Sequence, residues 1–177
     1  MAVKVFETKK FSVYVEKFAL PNGAVKETAY VSHRGSVVVA AFRAPGEILM
    51  VRQYRPIVGE WLLELPAGTI EPDEDPKTTA ARELEEEVGY RAKNLEYLTS
   101  FYVSPGVTNE KMHAFVAWDL EYVGEHREDY EVMETVGMKF NEALELAKNG
   151  KIIDGKTLAT LLFLHVNGGR FSALFNG

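Results

Sequence analysis

The sequence predicts an α+β fold with an N-terminal β meander, and three observations carry that reading. Extended patterns fill residues 11–65 and return between 95 and 140. One strongly signalled helix interrupts them near 75–89, and two further helices close the chain. Strands and helices therefore come in blocks, without the regular βαβ alternation that builds a doubly wound parallel sheet.

The elements follow in order. Phe11, Val13 and Val15 alternate with polar neighbours, as on a strand with one covered face. Pro21-Asn22-Gly23 signals a turn, after which Ala29-Tyr30-Val31 resumes the extended pattern. The Val-rich run Ser36–Phe42 has no alternation, which suits a strand buried on both faces. Pro45-Gly46 turns the chain into a strand over Ile48–Tyr54. Trp61–Leu65 is a shorter strand that Pro66 ends, because proline has no N–H to donate. Trp61 is expected in the core in preference to a stacking role. Asp75 can accept from the free amides of a helix start, Pro76 fits the first helical position, and Gly89 fits the stop. Strands follow at Leu95–Tyr102, Met112–Leu120 and, more weakly, Glu131–Phe140. Asn141 is expected to cap a helix that runs to Lys148. A last helix spans about Lys156 to Val166 and stops at Asn167-Gly168-Gly169.

A chain of 177 residues suits one domain, or one domain with a small appendage, and its 46% hydrophobic content suffices for a core. A net charge of −6 argues against a broad basic surface for nucleic acid, while leaving room for a small anionic ligand that needs only a local Arg or Lys cluster. With no cysteine there is no disulfide, thiolate metal site or cysteine nucleophile, and a cytoplasmic location is the simplest expectation. Residues 1–11 lack the apolar core of a signal peptide, and no run approaches the roughly 18 apolar residues of a membrane span.

The central helix carries Arg82-Glu83-Leu84-Glu85-Glu86-Glu87 near its C-terminal end. Glu83 and Glu87, four apart, share a face, with Glu86 beside them. Like charges at this spacing cost about 0.2–0.5 kcal/mol per pair, and carboxylates near a helix C-terminus oppose its dipole. Arg82 is placed to pair with Glu86, which leaves Glu83 and Glu87 unpartnered within the helix. Ala81, Leu84 and Val88 on the other flank would anchor it to the core. A hard divalent cation, which prefers oxygen ligands, would supply the missing compensation.

Gly68, Glu74, Arg82, Glu83, Glu86, Glu87 and Gly89 fall on every fixed position of the Nudix box, GX5EX7REUXEEXGU, with Leu84 and Tyr90 at its bulky apolar positions. Only Tyr90 departs from the usual Ile, Leu or Val. The chain thus resembles the Nudix hydrolases over about residues 10–166, which implies a mixed sheet sandwiched between helices. The resemblance further implies that Glu83, Glu86 and Glu87 hold Mg²⁺ or Mn²⁺, that Arg82 orients them, and that Glu74 braces the loop before the helix. Bound metal would screen a pyrophosphate and lower the pKa of an attacking water.

Outside the box, three segments resemble the ADP-ribose pyrophosphatase branch. In Leu63–Gly68 the Ala67 carbonyl would be a further metal ligand. In Gln53-Tyr54-Arg55, Gln53 and Arg55 would reach the substrate. Ser104-Pro105-Gly106 places Pro105 fifteen residues beyond Tyr90, and Glu110 follows in Thr108-Asn109-Glu110; both would contribute to substrate binding. By the same resemblance the catalytic set comprises Arg82, Glu86 and a general base in the acidic segment 124–131. Glu128 is the first choice there, with Glu125 and Asp129 open. The implied reaction is hydrolysis of ADP-ribose to AMP and ribose 5-phosphate. The alternatives are another nucleotide sugar such as GDP-mannose, or a regulator that binds a nucleotide without cutting it. Residues 1–45 would form a β arm exchanged in a homodimer, and 46–177 the hydrolase domain.

Overall fold

In a computed structural model, residues 2–127 and 131–175 are described. The chain opens with β1 (Val3–Glu7), β2 (Phe11–Ala19) and β3 (Val25–His33), which pair antiparallel as a separate three-stranded sheet. The second sheet is built from β4 (Ser36–Ala44), β5 (Glu47–Arg55), β6 (Glu60–Glu64), β7 (Ala67–Thr69), β8 (Tyr90–Tyr102), β9 (Lys111–Tyr122) and β10 (Met133–Lys139). Its main path runs β10-β5-β4-β9-β8, with β6 on β5 and β7 on β4. It is mixed, because β4 and β9 run parallel from Ser36 opposite Met112 to Ala41 opposite Ala117.

The lack of alternation in β4 has the expected cause: every residue from Ser36 to Phe42 is buried, with helices on both sides. Val37, Val39 and Ala41 share a core with Ala80, Leu84 and Val88 of α1 (Pro76–Val88). Val38, Ala40 and Phe42 face α2 (Phe140–Lys148), α3 (Gly155–Asn167) and a closing 3-10 helix (Gly169–Leu174). The fold is therefore α+β, a mixed sheet between helices. Full burial of a residue such as Leu84 contributes about 1.5–3 kcal/mol, so α1 is held firmly against the sheet. Among the described residues, no helix is long and apolar enough to cross a membrane.

Several expectations change. Because β4 is central to the large sheet, the break between the sheets falls between His33 and Ser36, and Pro45-Gly46 is only the turn from β4 to β5. β7, three residues long, is too short for a periodic signal, and β1, with its Val3-Lys4-Val5 alternation, lies outside the expected strands. Asn141 does not cap α2: the helix begins at Phe140, whose amide donates to the Gly46 carbonyl at 2.9 Å. The start of α3 lies one residue earlier than expected, at Gly155, and is capped by Asp154, which accepts from the Thr157 amide at 3.0 Å. Trp61 is not core. It is 44% exposed on short β6, under the Arg52 guanidinium at 4.6 Å and beside the Tyr54 ring.

Candidate active site

The site starts with α1. Asp75 caps it by accepting from the Lys77 and Thr78 amides, and Gly89 ends it in the left-handed conformation at φ 76°. Two turns inside, Arg82 gathers four acceptors. Its Nε and Nη2 donate to Glu74 at 3.0 and 3.1 Å, and its Nη1 donates to Glu83 and to Glu86, each at 2.9 Å. Nη2 also reaches the Thr69 carbonyl. Glu83 therefore does have a partner within the helix, because Arg82 turns back across its own first-turn side rather than meeting Glu86 alone. Glu74 also accepts from the Thr79 hydroxyl at 2.8 Å, tying the loop before the helix to the helix itself. The anchoring face is Ala80, Leu84 and Val88, with Ala81 only partly covered.

Glu87 lies on the buried side, 4% exposed, and accepts from the Ala67 amide at 3.0 Å. Burial, followed by the charge of Glu83, pushes its carboxyl up to about 8 from the ordinary 4.5. Glu83 is pushed up to about 7, again by burial first, against the opposing pull of Arg82. The Arg82 guanidinium acts the other way on Glu74, holding that carboxyl at about 2. Arg82 itself is raised by these same contacts. Three neighbouring carboxylates thus divide into one that stays ionised and two that resist ionisation. A methyl group at Gly68 would overlap the Glu83 carboxylate, so the absence of a side chain there lets the acid lie against β7.

Gly68, Arg82, Glu83, Glu86 and Glu87 line a cavity of about 540 Å³ that also takes in Gln53, Arg55, Ala67 and Glu110. Glu110 is held by the buried Ser36 hydroxyl at 2.7 Å. The loop before it is clamped to β3, whose Val31 donates to the Val107 carbonyl and accepts from the Asn109 amide. Pro105 is not brought to the cavity; it lies in an exposed turn closed by the Val107 and Thr108 amides on the Ser104 carbonyl. Of the acidic segment, Glu128 and Asp129 lie outside the described residues. Glu125 is drawn away, to Arg127 at 2.9 Å and Thr135 at 2.8 Å. His126 and Glu131 do line the cavity.

The sequence model of the NUDIX domain family matches residues 32–161. The chain belongs to the NUDIX family. An ADP-ribose pyrophosphatase of Bacillus subtilis is 39% identical over 165 residues, covering 92% of this chain and 89% of that protein. A methanol dehydrogenase activator of Bacillus methanolicus is 37% identical, covering 92% and 89%. A solved structure described as an ADP compounds hydrolase superposes with a TM-score of 0.79 over 96% of this chain and 94% of its own, at 22% identity, a likeness of fold.

Nudix hydrolases in general depend on a divalent metal, and the donor chemistry here fits one. Two buried carboxyls that resist ionisation gain most from a hard cation with oxygen ligands. Among the described residues no three such groups converge as they stand, since Arg82 draws Glu83 and Glu86 while the Ala67 amide draws Glu87.

Beyond Arg55 and Arg82, sequence reasoning missed the cavity's other cations. Arg34 donates to the Ile70 carbonyl of the box loop and to the Lys9 carbonyl, which brings Lys9 and Lys10 of the β1–β2 turn to one side. Lys156 reaches the cavity from α3. The expected helix start at about Lys156 already puts that cation in a first turn, where it opposes the dipole, so a signal was present.

Proposed function

We propose that this Nudix chain hydrolyses the pyrophosphate bond of ADP-ribose, giving AMP and ribose 5-phosphate, with Mg²⁺ or Mn²⁺ held by Glu83, Glu86, Glu87 and the Ala67 carbonyl. One observation carries the reading. The α1 carboxylates share a single cavity with Gln53, Arg55 and Glu110, the residues outside the box that speak for this substrate. The relative named ADP-ribose pyrophosphatase, matched along nearly its whole length, supports it.

Each residue has its part. Arg55 meets phosphate oxygen with a planar fork of donors. Gln53 and Glu110 bind polar groups of the nucleoside diphosphate. Arg82 keeps Glu83 and Glu86 aligned, and Glu74 holds Arg82 in turn. The bound cation supplies charge neutralisation and a more acidic water. A carboxylate of the acidic segment, Glu128 first, would take the proton of the attacking water; Glu131 of the same segment lines the cavity. The water oxygen bonds to phosphorus as the bond to the bridging oxygen breaks.

The test is a panel of ADP-ribose, GDP-mannose and NADH with Mg²⁺ or Mn²⁺, with products separated by chromatography. AMP appearing fastest from ADP-ribose is expected. Faster release of GMP from GDP-mannose, or no turnover of any member, would overturn the reading.

The same reading takes the chain as a cytoplasmic homodimer that exchanges its N-terminal arm, the sheet of β1–β3, while the chain from β4 onward forms the hydrolase domain. Val3, Val5, Phe6 and Val25 are each more than half exposed on that arm's sheet, apolar surface suited to a second copy. Light scattering at micromolar concentration should give twice the mass of the chain; a single mass would sink the dimer.

A further inference from the structure

The carboxylate Glu64 plays no part in the box, yet it is 1% exposed at the end of β6. A lone charge buried so deeply would cost several kcal/mol. Its partners come from two elements, the paired strand β5 and the distant helix α3. Arg55 on β5 donates through Nε and Nη2 at 2.7 and 2.6 Å, and the Lys156 ammonium on α3 donates to the same Oε2. Lys156 also bonds Asp154 at 2.9 Å. What brings α3 here is the Leu65 amide, next to Glu64, which donates to the buried Thr157 hydroxyl at 2.8 Å.

Two acids and two bases balance within this array, and its donors are not all used. Glu64 occupies the Nε–Nη2 edge of Arg55 and leaves Nη1 on the other edge. An ammonium has three N–H groups, and Glu64 and Asp154 take two of those on Lys156. Both cations line the cavity. So does Gln53, 7% exposed, whose Oε1 is buried without a hydrogen-bond partner among the described residues. An unmet buried acceptor costs about 1–3 kcal/mol, which a ligand hydroxyl or amine would recover.

We propose that Lys156 binds a phosphate oxygen of the substrate together with Arg55, and that Glu64 is the positioning residue that aims both cations into the cavity. The cations take the anion, and the orphan Gln53 oxygen takes a donor on the adjoining sugar or base. This rests on the pyrophosphatase reading for its substrate, but not for the anion itself. A purely structural role for Lys156, neutralising Glu64, would lower stability and leave substrate affinity alone.

The experiment compares the full-length wild type with Lys156→Met, Lys156→Gln, Lys156→Arg and Glu64→Gln. It reads KM and kcat for ADP-ribose with Mg²⁺, calorimetric binding of inorganic pyrophosphate with Mg²⁺, and the melting curve. Lys156→Met should raise KM and weaken pyrophosphate binding about tenfold, with kcat within about threefold, a loss of binding shared by ground and transition states. Lys156→Arg should recover most of the affinity, and Glu64→Gln should raise KM by freeing Arg55. Lys156→Gln can still donate to Glu64 and is the variant read if Lys156→Met fails to fold. A lower melting temperature with unchanged KM and unchanged pyrophosphate affinity overturns the proposal. If the wild type leaves ADP-ribose intact while pyrophosphate binding still falls in the Lys156 variants, the substrate reading fails and Lys156 stands. A wild type that neither turns over ADP-ribose nor binds pyrophosphate removes both.

Discussion

The two ends of the cavity are both charge networks, built on opposite plans. At the α1 end, Arg82 serves Glu74, Glu83 and Glu86 while Glu87 is left to a backbone amide, so negative charge is in excess and two carboxyls resist ionisation. At the β6–α3 end, Glu64 and Asp154 are matched by Arg55 and Lys156. The first end is incomplete without a cation. The second is complete by itself and offers spare donors to an anion. A diphosphate carrying a metal is complementary to that polarity.

The largest expected effect comes from Glu87→Gln. It keeps the acceptor for the Ala67 amide but removes the buried charge, so activity should fall by at least about a hundredfold while the metal-free protein melts higher at pH 8. Retained activity, measured as AMP release, would undo the metal assignment.

Next comes pH. With folded values of about 7 and about 8 against an ordinary 4.5, Glu83 and Glu87 bind more protons in the folded than in the unfolded chain. They favour folding below about 4.5, and their opposition to it grows as pH rises toward 8. Glu74, held at about 2, contributes stability above 4.5 that is lost as pH falls through 2. Metal-free melting temperature should therefore decline between pH 5 and 8, and Mg²⁺ or Mn²⁺ affinity should rise over the same window; calorimetry at three pH values checks both.

A smaller loss, about tenfold in activity with the fold intact, is expected for Gly68→Ala, because the added methyl displaces the Glu83 carboxylate. Circular dichroism beside the activity assay separates displacement from unfolding. The smallest effect on activity belongs to the balanced end. Thr157→Val strips the Leu65 amide of its acceptor, costing about 1–3 kcal/mol of stability in denaturant melts with a modest rise in KM.

Legibility followed chain distance. The α1 network spans Glu74 to Glu87, so helical spacing, caps and the box exposed it, down to the Asp75 cap and the Gly89 stop. Even there, the reach of Arg82 to Glu83 escaped a reading based on i,i+4 pairs, because a long guanidinium side chain is not limited to one helical neighbour. The Val-rich run of β4 announced burial on both faces, whereas Trp61 misled, since a large aromatic on a short strand can lie flat on the surface under a cation.

By itself the sequence determined the local chemistry: which helix carries the carboxylates, where it starts and stops, and that Glu87 has no counter-charge along that helix. These depend on rise per residue and on backbone amides, which neighbours in sequence specify. Only the tertiary structure decided that Arg55, Glu64 and Lys156 meet, that Ser36 holds Glu110, and that the arm parts from the main sheet before β4. Those contacts arise from sheet register and from docking α3 onto the end of β6, and a one-residue slip would turn the same side chains to the opposite face.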